Sequence, residues 1–104
     1  MSESIYDIVL KTALGNRIGK MRARFFDDKI EGTIALFNHR EPFFGKINPD
    51  GSCNISGKII TLLNTLNFIG IGSITKNFVS LNISAGNKAF EITGAPVRKK
   101  GGAK

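Results

Sequence analysis

The sequence predicts an all-β domain, an antiparallel up-and-down meander of about eight strands curled into a small barrel or half-barrel. Three observations carry this. Apolar and polar residues alternate through most of residues 5–94, as in Ser80-Leu81-Asn82-Ile83-Ser84. Turn-forming residues recur every 10 to 14 positions, the rhythm of a meander, sandwich or barrel. A Gly-x-Ile step also repeats, at Gly32-Thr33-Ile34, Gly45-Lys46-Ile47, Gly57-Lys58-Ile59 and Gly72-Ser73-Ile74. Its intervals are 13, 12 and 15 residues, the length of one strand and one turn.

The first strand is expected over Ile5–Thr12, and Gly15-Asn16 turns the chain into Arg17–Phe26. Asp27-Asp28 leads to Lys29–Phe37, Asn38-His39-Arg40 to Pro42–Asn48, and Pro49-Asp50-Gly51 to Ser52–Thr61. Leu62-Leu63-Asn64-Thr65 connects to Leu66–Thr75, Lys76-Asn77 to Phe78–Ser84, and Gly86-Asn87 to Lys88–Gly94. Gly, Asn and Asp accept the positive φ that tight hairpins demand. Short turns make consecutive strands antiparallel neighbours.

These turns set registers. Phe25 falls opposite Ile30, Met21 opposite Ile34, Ile47 opposite Cys53, and Gly45 opposite Ile55. Phe43 then faces Gly57, Gly72 faces Leu81, and Leu81 faces Ile92. Inward residues meet inward residues at each of these hairpins, and the repeated glycines share the apolar parity. Glycine weakens a strand, so a recurring one marks a bend or a close approach. A sheet bent at several strands coils and tends to close, which also removes its edges.

Length and charge bound the organisation. The 104 residues suit one domain, residues 1–97, followed by a basic tail at 98–104 that offers nothing to bury and is expected to be disordered. Of the net charge of +7, Arg98, Lys99, Lys100 and Lys104 supply four, leaving +3 on the body. Met1–Arg17 holds no continuous apolar run, so no signal peptide is expected, and no apolar run is long enough to span a membrane. Cys53 and His39 are the single cysteine and histidine, too few for an internal disulfide or a metal set. A reducing, cytoplasmic location is the expectation. No cofactor motif occurs, and Gly70-Ile71-Gly72 is too short to match a dinucleotide loop.

Several segments resemble a group of small uncharacterised bacterial β-barrel-like proteins. They are Thr12-Ala13-Leu14-Gly15 with Gly19, Pro42-Phe43-Phe44-Gly45-Lys46-Ile47 with Asp50-Gly51, Ser56-Gly57-Lys58-Ile59 with Thr61-Leu62, and Ile92-Thr93-Gly94. More loosely the layout is similar to calycin barrels of the lipocalin and fatty-acid-binding type, without the Gly-x-Trp opening, since the chain has no Trp. These are turn and glycine motifs, so the resemblance implies a fold and brings no catalytic residue.

The inward set read from alternation contains no Asp, Glu, Lys, Arg or His, so a catalytic acid or base inside the barrel is not expected and the chain reads as non-enzymatic. That leaves a binding or interaction module. Its sharper form carries a small apolar ligand in the barrel, with Tyr6, Met21, Phe43, Cys53, Phe68 and Phe90 as lining residues. The competing reading of that set is a filled core.

On the outer face, Phe44, Ile60, Ile69 and Ile71 alternate outward in adjacent strands, a candidate interface for a homodimer or for docking on a larger enzyme. Turn spacing places Phe44 and Ile71 on either side of Ser56. The alternative is a nucleic-acid-binding barrel using Lys20, Arg22 and Arg24 with Arg98, Lys99 and Lys100. Turn spacing sets Arg24 between Asp7 and Glu31, and Lys20 beside Lys11. No exposed aromatic alternates with this basic strand, which weakens the base-stacking form of that alternative. His39, between Asn38 and Arg40-Glu41, reads as a solvated turn residue without a nucleophile beside it.

Overall fold

The structure, a computed structural model, describes residues 2–13, 15–60 and 65–97. Eight antiparallel strands follow in meander order: β1 (Ser2–Thr12), β2 (Gly15–Phe26), β3 (Lys29–Leu36), β4 (His39–Ile47), β5 (Ser52–Ile60), β6 (Thr65–Ile74), β7 (Val79–Ala85) and β8 (Lys88–Pro96). β1 pairs with both β2 and β8, so the sheet closes into a barrel. The architecture is compatible with the calycin type. Among the described residues no helix is long and apolar enough to cross a membrane. The expected turn at Leu62-Leu63-Asn64 and the tail residues Arg98, Lys99, Lys100 and Lys104 lie outside the described residues.

Alternation builds the wall. β7 is the clearest case, with Val79, Leu81, Ile83 and Ala85 buried and Ser80, Asn82 and Ser84 exposed. Following strand partners around the ring gives Ser2, Phe25, Ile30, Gly45, Ile55, Gly70, Ile83 and Phe90. The β8–β1 ladder then returns the path to β1 one place beyond Lys11, at Thr12. The barrel is therefore staggered by ten residues per circuit, from Ser2 to Thr12. Eight tilted strands enclose a space that side chains just fill. Tyr6, Ile8, Met21, Ala23 and Ile92 are wholly inaccessible at its centre, and no polar or charged side chain is buried among the described residues.

The repeated glycines sit where neighbouring backbones come close. A Cβ on Gly32 would meet the Arg22 carbonyl oxygen at 1.8 Å, and one on Gly72 the Ser80 carbonyl oxygen at 2.0 Å. Only a residue without Cβ permits such an approach, and the tight coiling of the wall follows from it.

Three register or turn expectations are corrected. Thr12 stands opposite Gly15, so the expected Gly15-Asn16 turn becomes the start of β2 and the β1–β2 register moves by four residues. The β3–β4 turn is Phe37-Asn38, not Asn38-His39-Arg40. Both residues take positive φ, 55° and 65°, and β4 begins at His39. A Phe in that region is uncommon; here the half-buried ring packs on the core, which offsets the backbone cost. On β5–β6, Ser56 faces Ile69 and Asn54 faces Ile71, two residues from the expected register. The β1–β2 and β5–β6 shifts are even, and at β3–β4 Ile34, Leu36, Phe43 and Ile47 stay buried, so the inward and outward sets survive. The other predicted pairs, from Phe25–Ile30 through Leu81–Ile92, are formed.

Candidate functional site

The inward residues singled out in the sequence come together in the barrel. Tyr6, Met21, Phe43, Cys53 and Phe68 are buried there, and Phe90 is half-buried against the same core. The Tyr6 hydroxyl donates to the Thr75 carbonyl oxygen at 2.6 Å, tying β1 to the β6–β7 turn. Its burial raises the phenol above its ordinary pKa, opposed by a hydrogen bond with Ser4. Burial also pushes the Cys53 thiol up to about 11, so it stays protonated at neutral pH. In front of the glycines the space is taken. A Cβ on Gly70 would touch Ile83 Cδ1 at 2.8 Å, and one on Gly57 would touch Phe68 Cε2 at 3.2 Å.

β4 contributes two further inward positions at one rim of the barrel. His39 and Glu41 alternate with Phe43 and pair with Leu36 and Ile34. Glu41 is half-buried and His39 exposed. Sequence reading missed them because it began the strand at Pro42.

On the outer wall, Phe44 is 57% exposed, Ile69 57% and Ile71 62%. Phe44, Ser56 and Ile69 form one row across β4, β5 and β6, with Ile71 two residues further along β6. Ile60 does not join them. It is half-buried, and the Lys58–Asn67 pair separates it from Ile69.

The basic strand also lies on the wall. Arg24 is flanked by Glu3 and Glu31, rather than by Asp7 and Glu31; Lys20 is flanked by Asp7 and Ala35, rather than by Lys11. Arg24 donates to Glu31 at 2.9 Å, Lys20 pairs with Asp7, and Arg22 approaches Glu3 at 3.7 Å. The outer faces of β2 to β6 carry Lys20, Arg22, Arg24, Lys29, Arg40, Lys46 and Lys58. Among the described residues Glu31 is the one carboxylate on those faces, while Glu3, Asp7 and Glu91 lie on β1 and β8. The wall is thus cationic on one side. This asymmetry depends on closure and register and is invisible strand by strand.

Two depressions open to the outside. One, of about 280 Å³, lies at a barrel end between Phe25, Ile47, Asp50 and Lys76. The other, of about 420 Å³, lies on the wall over β2 and β3. Comparison with known proteins finds no match: no family model, no curated protein and no solved structure aligns with this chain.

Proposed function

We propose that this chain is a non-enzymatic interaction module that pairs with a second copy of itself through the outer wall of β4 to β6. The observation that carries the reading is the exposed apolar cluster of Phe44, Ile69 and Ile71 in the middle of a sheet face. Burying a side chain of this size contributes about 1.5–3 kcal/mol, so three per subunit offset part of the cost of association.

The register supports a self-complementary contact. Phe44 and Ile69 stand symmetrically on either side of Ser56. A two-fold axis along β5 through Ser56 sets Phe44 over the partner's Ile69, and Ile69 over the partner's Phe44. The same operation brings the aliphatic stem of Lys46, beside Asn54, over the partner's Ile71. Among the described residues no carboxylate lies on the outer faces of β4 to β6 to be buried unmatched. A larger enzyme docked on the same face is the other occupant this surface suits. A carrier with ligand inside the barrel has less support, because core side chains occupy the space in front of Gly57 and Gly70.

Sedimentation of the full chain across the micromolar range tests the reading. A monomer–dimer equilibrium shifted to monomer by Ile71→Lys, with the fold intact, is the expected outcome. A wild-type monomer throughout, or a dimer indifferent to Ile71→Lys, overturns self-association.

A further inference from the structure

The wall opposite the β7–β8 side carries a second feature, independent of the apolar cluster. The depression of about 420 Å³ is bounded by Lys20, Arg22 and Arg24 of β2 on one side and by Arg40 of β4 on the other. Its floor is β3, where Thr33 and Ala35 present short side chains between these long ones. We propose that this depression is a binding site for the phosphate groups of a small phosphorylated ligand.

The register explains why a hollow forms there. Arg22 lies beside Thr33, Lys20 beside Ala35, and Arg40 beside Ala35 from the other edge. Long cationic side chains on β2 and β4 therefore stand over a low β3. Every charged residue that lines the hollow is positive; Glu3, Asp7 and Glu31, which pair with the β2 cations, are outside its lining. Those pairs are exposed, with side-chain accessibilities of 40–59%. Exposed pairs of this kind contribute little to stability, so a phosphate can exchange for a carboxylate at little cost. Arg40 has no carboxylate partner among the described residues. Lys20 and Arg40 face each other across Ala35, with the Arg22 guanidinium one row along beside Thr33. Guanidinium groups suit bidentate phosphate contacts, and the Thr33 hydroxyl adds a donor at the floor.

The surroundings favour a compact anion over a nucleic-acid strand. Glu3 and Asp7 of β1 fence the hollow beyond Arg22 and Lys20, so a polyanion crossing the wall would run onto carboxylates. A volume near 420 Å³ is within the range of small-ligand sites.

Titration calorimetry of the full chain with inorganic pyrophosphate at low ionic strength tests the proposal, beside a single-stranded oligonucleotide as comparator. The expected result is saturable one-site binding of pyrophosphate, weakened about tenfold or more by Arg22→Ala and by Arg40→Ala. Lys29→Ala, on the same cationic side but outside the hollow, leaves it unchanged. Amide shifts of the wild-type chain on pyrophosphate addition centre on Thr33, Ala35 and Arg40, a readout that does not depend on any variant folding. Absence of saturable pyrophosphate binding, an equal loss with Lys29→Ala, or shifts spread over the whole cationic wall overturns it. Binding of the oligonucleotide without pyrophosphate does the same, and assigns the wall to a polymer instead.

Discussion

Gly45 faces Ile55 across β4 and β5 so closely that a Cβ placed on it would stand 2.7 Å from the Ile55 Cα and 1.9 Å from the Asn54 carbonyl oxygen. The obstacle is backbone, which cannot rotate away as a side chain can. Gly57, the next glycine of the repeat, is less confined: its nearest obstacle is the Pro42 carbonyl oxygen at 2.7 Å, followed by the Phe43 and Phe68 side chains. Gly45→Ala is therefore expected to destabilise the barrel by more than Gly57→Ala. Gly57→Val, which overpacks against Phe43 and Phe68, is expected to cost about 1–3 kcal/mol. Urea denaturation of the three variants checks the order.

Tyr6 crosses the barrel interior to reach Thr75. Tyr6→Phe removes the donor and leaves the ring in place. The expected loss is about 0.5–1.5 kcal/mol, read as a lowered urea midpoint with an unchanged slope. No change in the midpoint would mean that solvent serves the Thr75 carbonyl equally well.

Alkaline pH acts on two buried groups at once. Cys53 has its pKa raised from 9.0 to about 11, and Tyr6 is raised above 10.0, both chiefly by burial. A raised folded-state pKa means that the native state holds the proton more tightly than the unfolded chain. The associated stability is complete below the unfolded pKa and falls as pH rises toward the folded one. Stability is expected to decline from about pH 9 upward. In Cys53→Ala the decline measured against wild type should start later, near the ordinary tyrosine range. Urea midpoints from pH 8 to 11 decide this. A thiol reagent should also leave the folded chain unmodified at pH 8.

The parts of this fold legible in the sequence are those whose turns carry their own chemistry. Asp27-Asp28, Pro49-Asp50-Gly51, Lys76-Asn77 and Gly86-Asn87 set their hairpins, and the facing pairs followed. At Pro49–Gly51 the reason is visible: Asp50 accepts from the Ser52 amide at 2.9 Å and the Ser52 hydroxyl at 2.7 Å, while Gly51 takes a φ of 93°. Misreadings occurred where the turn residue has no turn propensity. Phe37 adopts positive φ because its ring is held by the core, a tertiary effect that no local pattern announces. Between β1 and β2 the glycine lies just beyond the turn, at Gly15, and drew the reading with it. Losing Arg40 to a misplaced turn hid one wall of the cationic hollow. The outward parity of Phe44, Ile69 and Ile71 was legible, but turn spacing sets Ile71 beside Ser56 where the structure has Ile69, because the residues connecting β5 and β6 contain no glycine to fix the register.

The proposed two-fold pairing makes a sharper demand than loss of dimer on mutation, because residues on the axis meet their own copies. Lys58 lies on β5 two residues from Ser56, on the outward side. Its ammonium group therefore faces the partner's Lys58 across the axis. Added salt should tighten the dimer by screening this repulsion, the opposite of what an interface built on ion pairs would show. Lys58→Glu mixed with wild type should form heterodimers in preference to either homodimer, since only the mixed pair sets opposite charges across the axis. The gain expected for such an exposed pair is about 0.2–1 kcal/mol, a change in dissociation constant of up to about fivefold. Sedimentation of the two proteins alone and mixed, at low and high salt, reads both effects. Statistical mixing together with a dimer weakened by salt would move the axis away from β5, even if Phe44 and Ile69 remain in the interface.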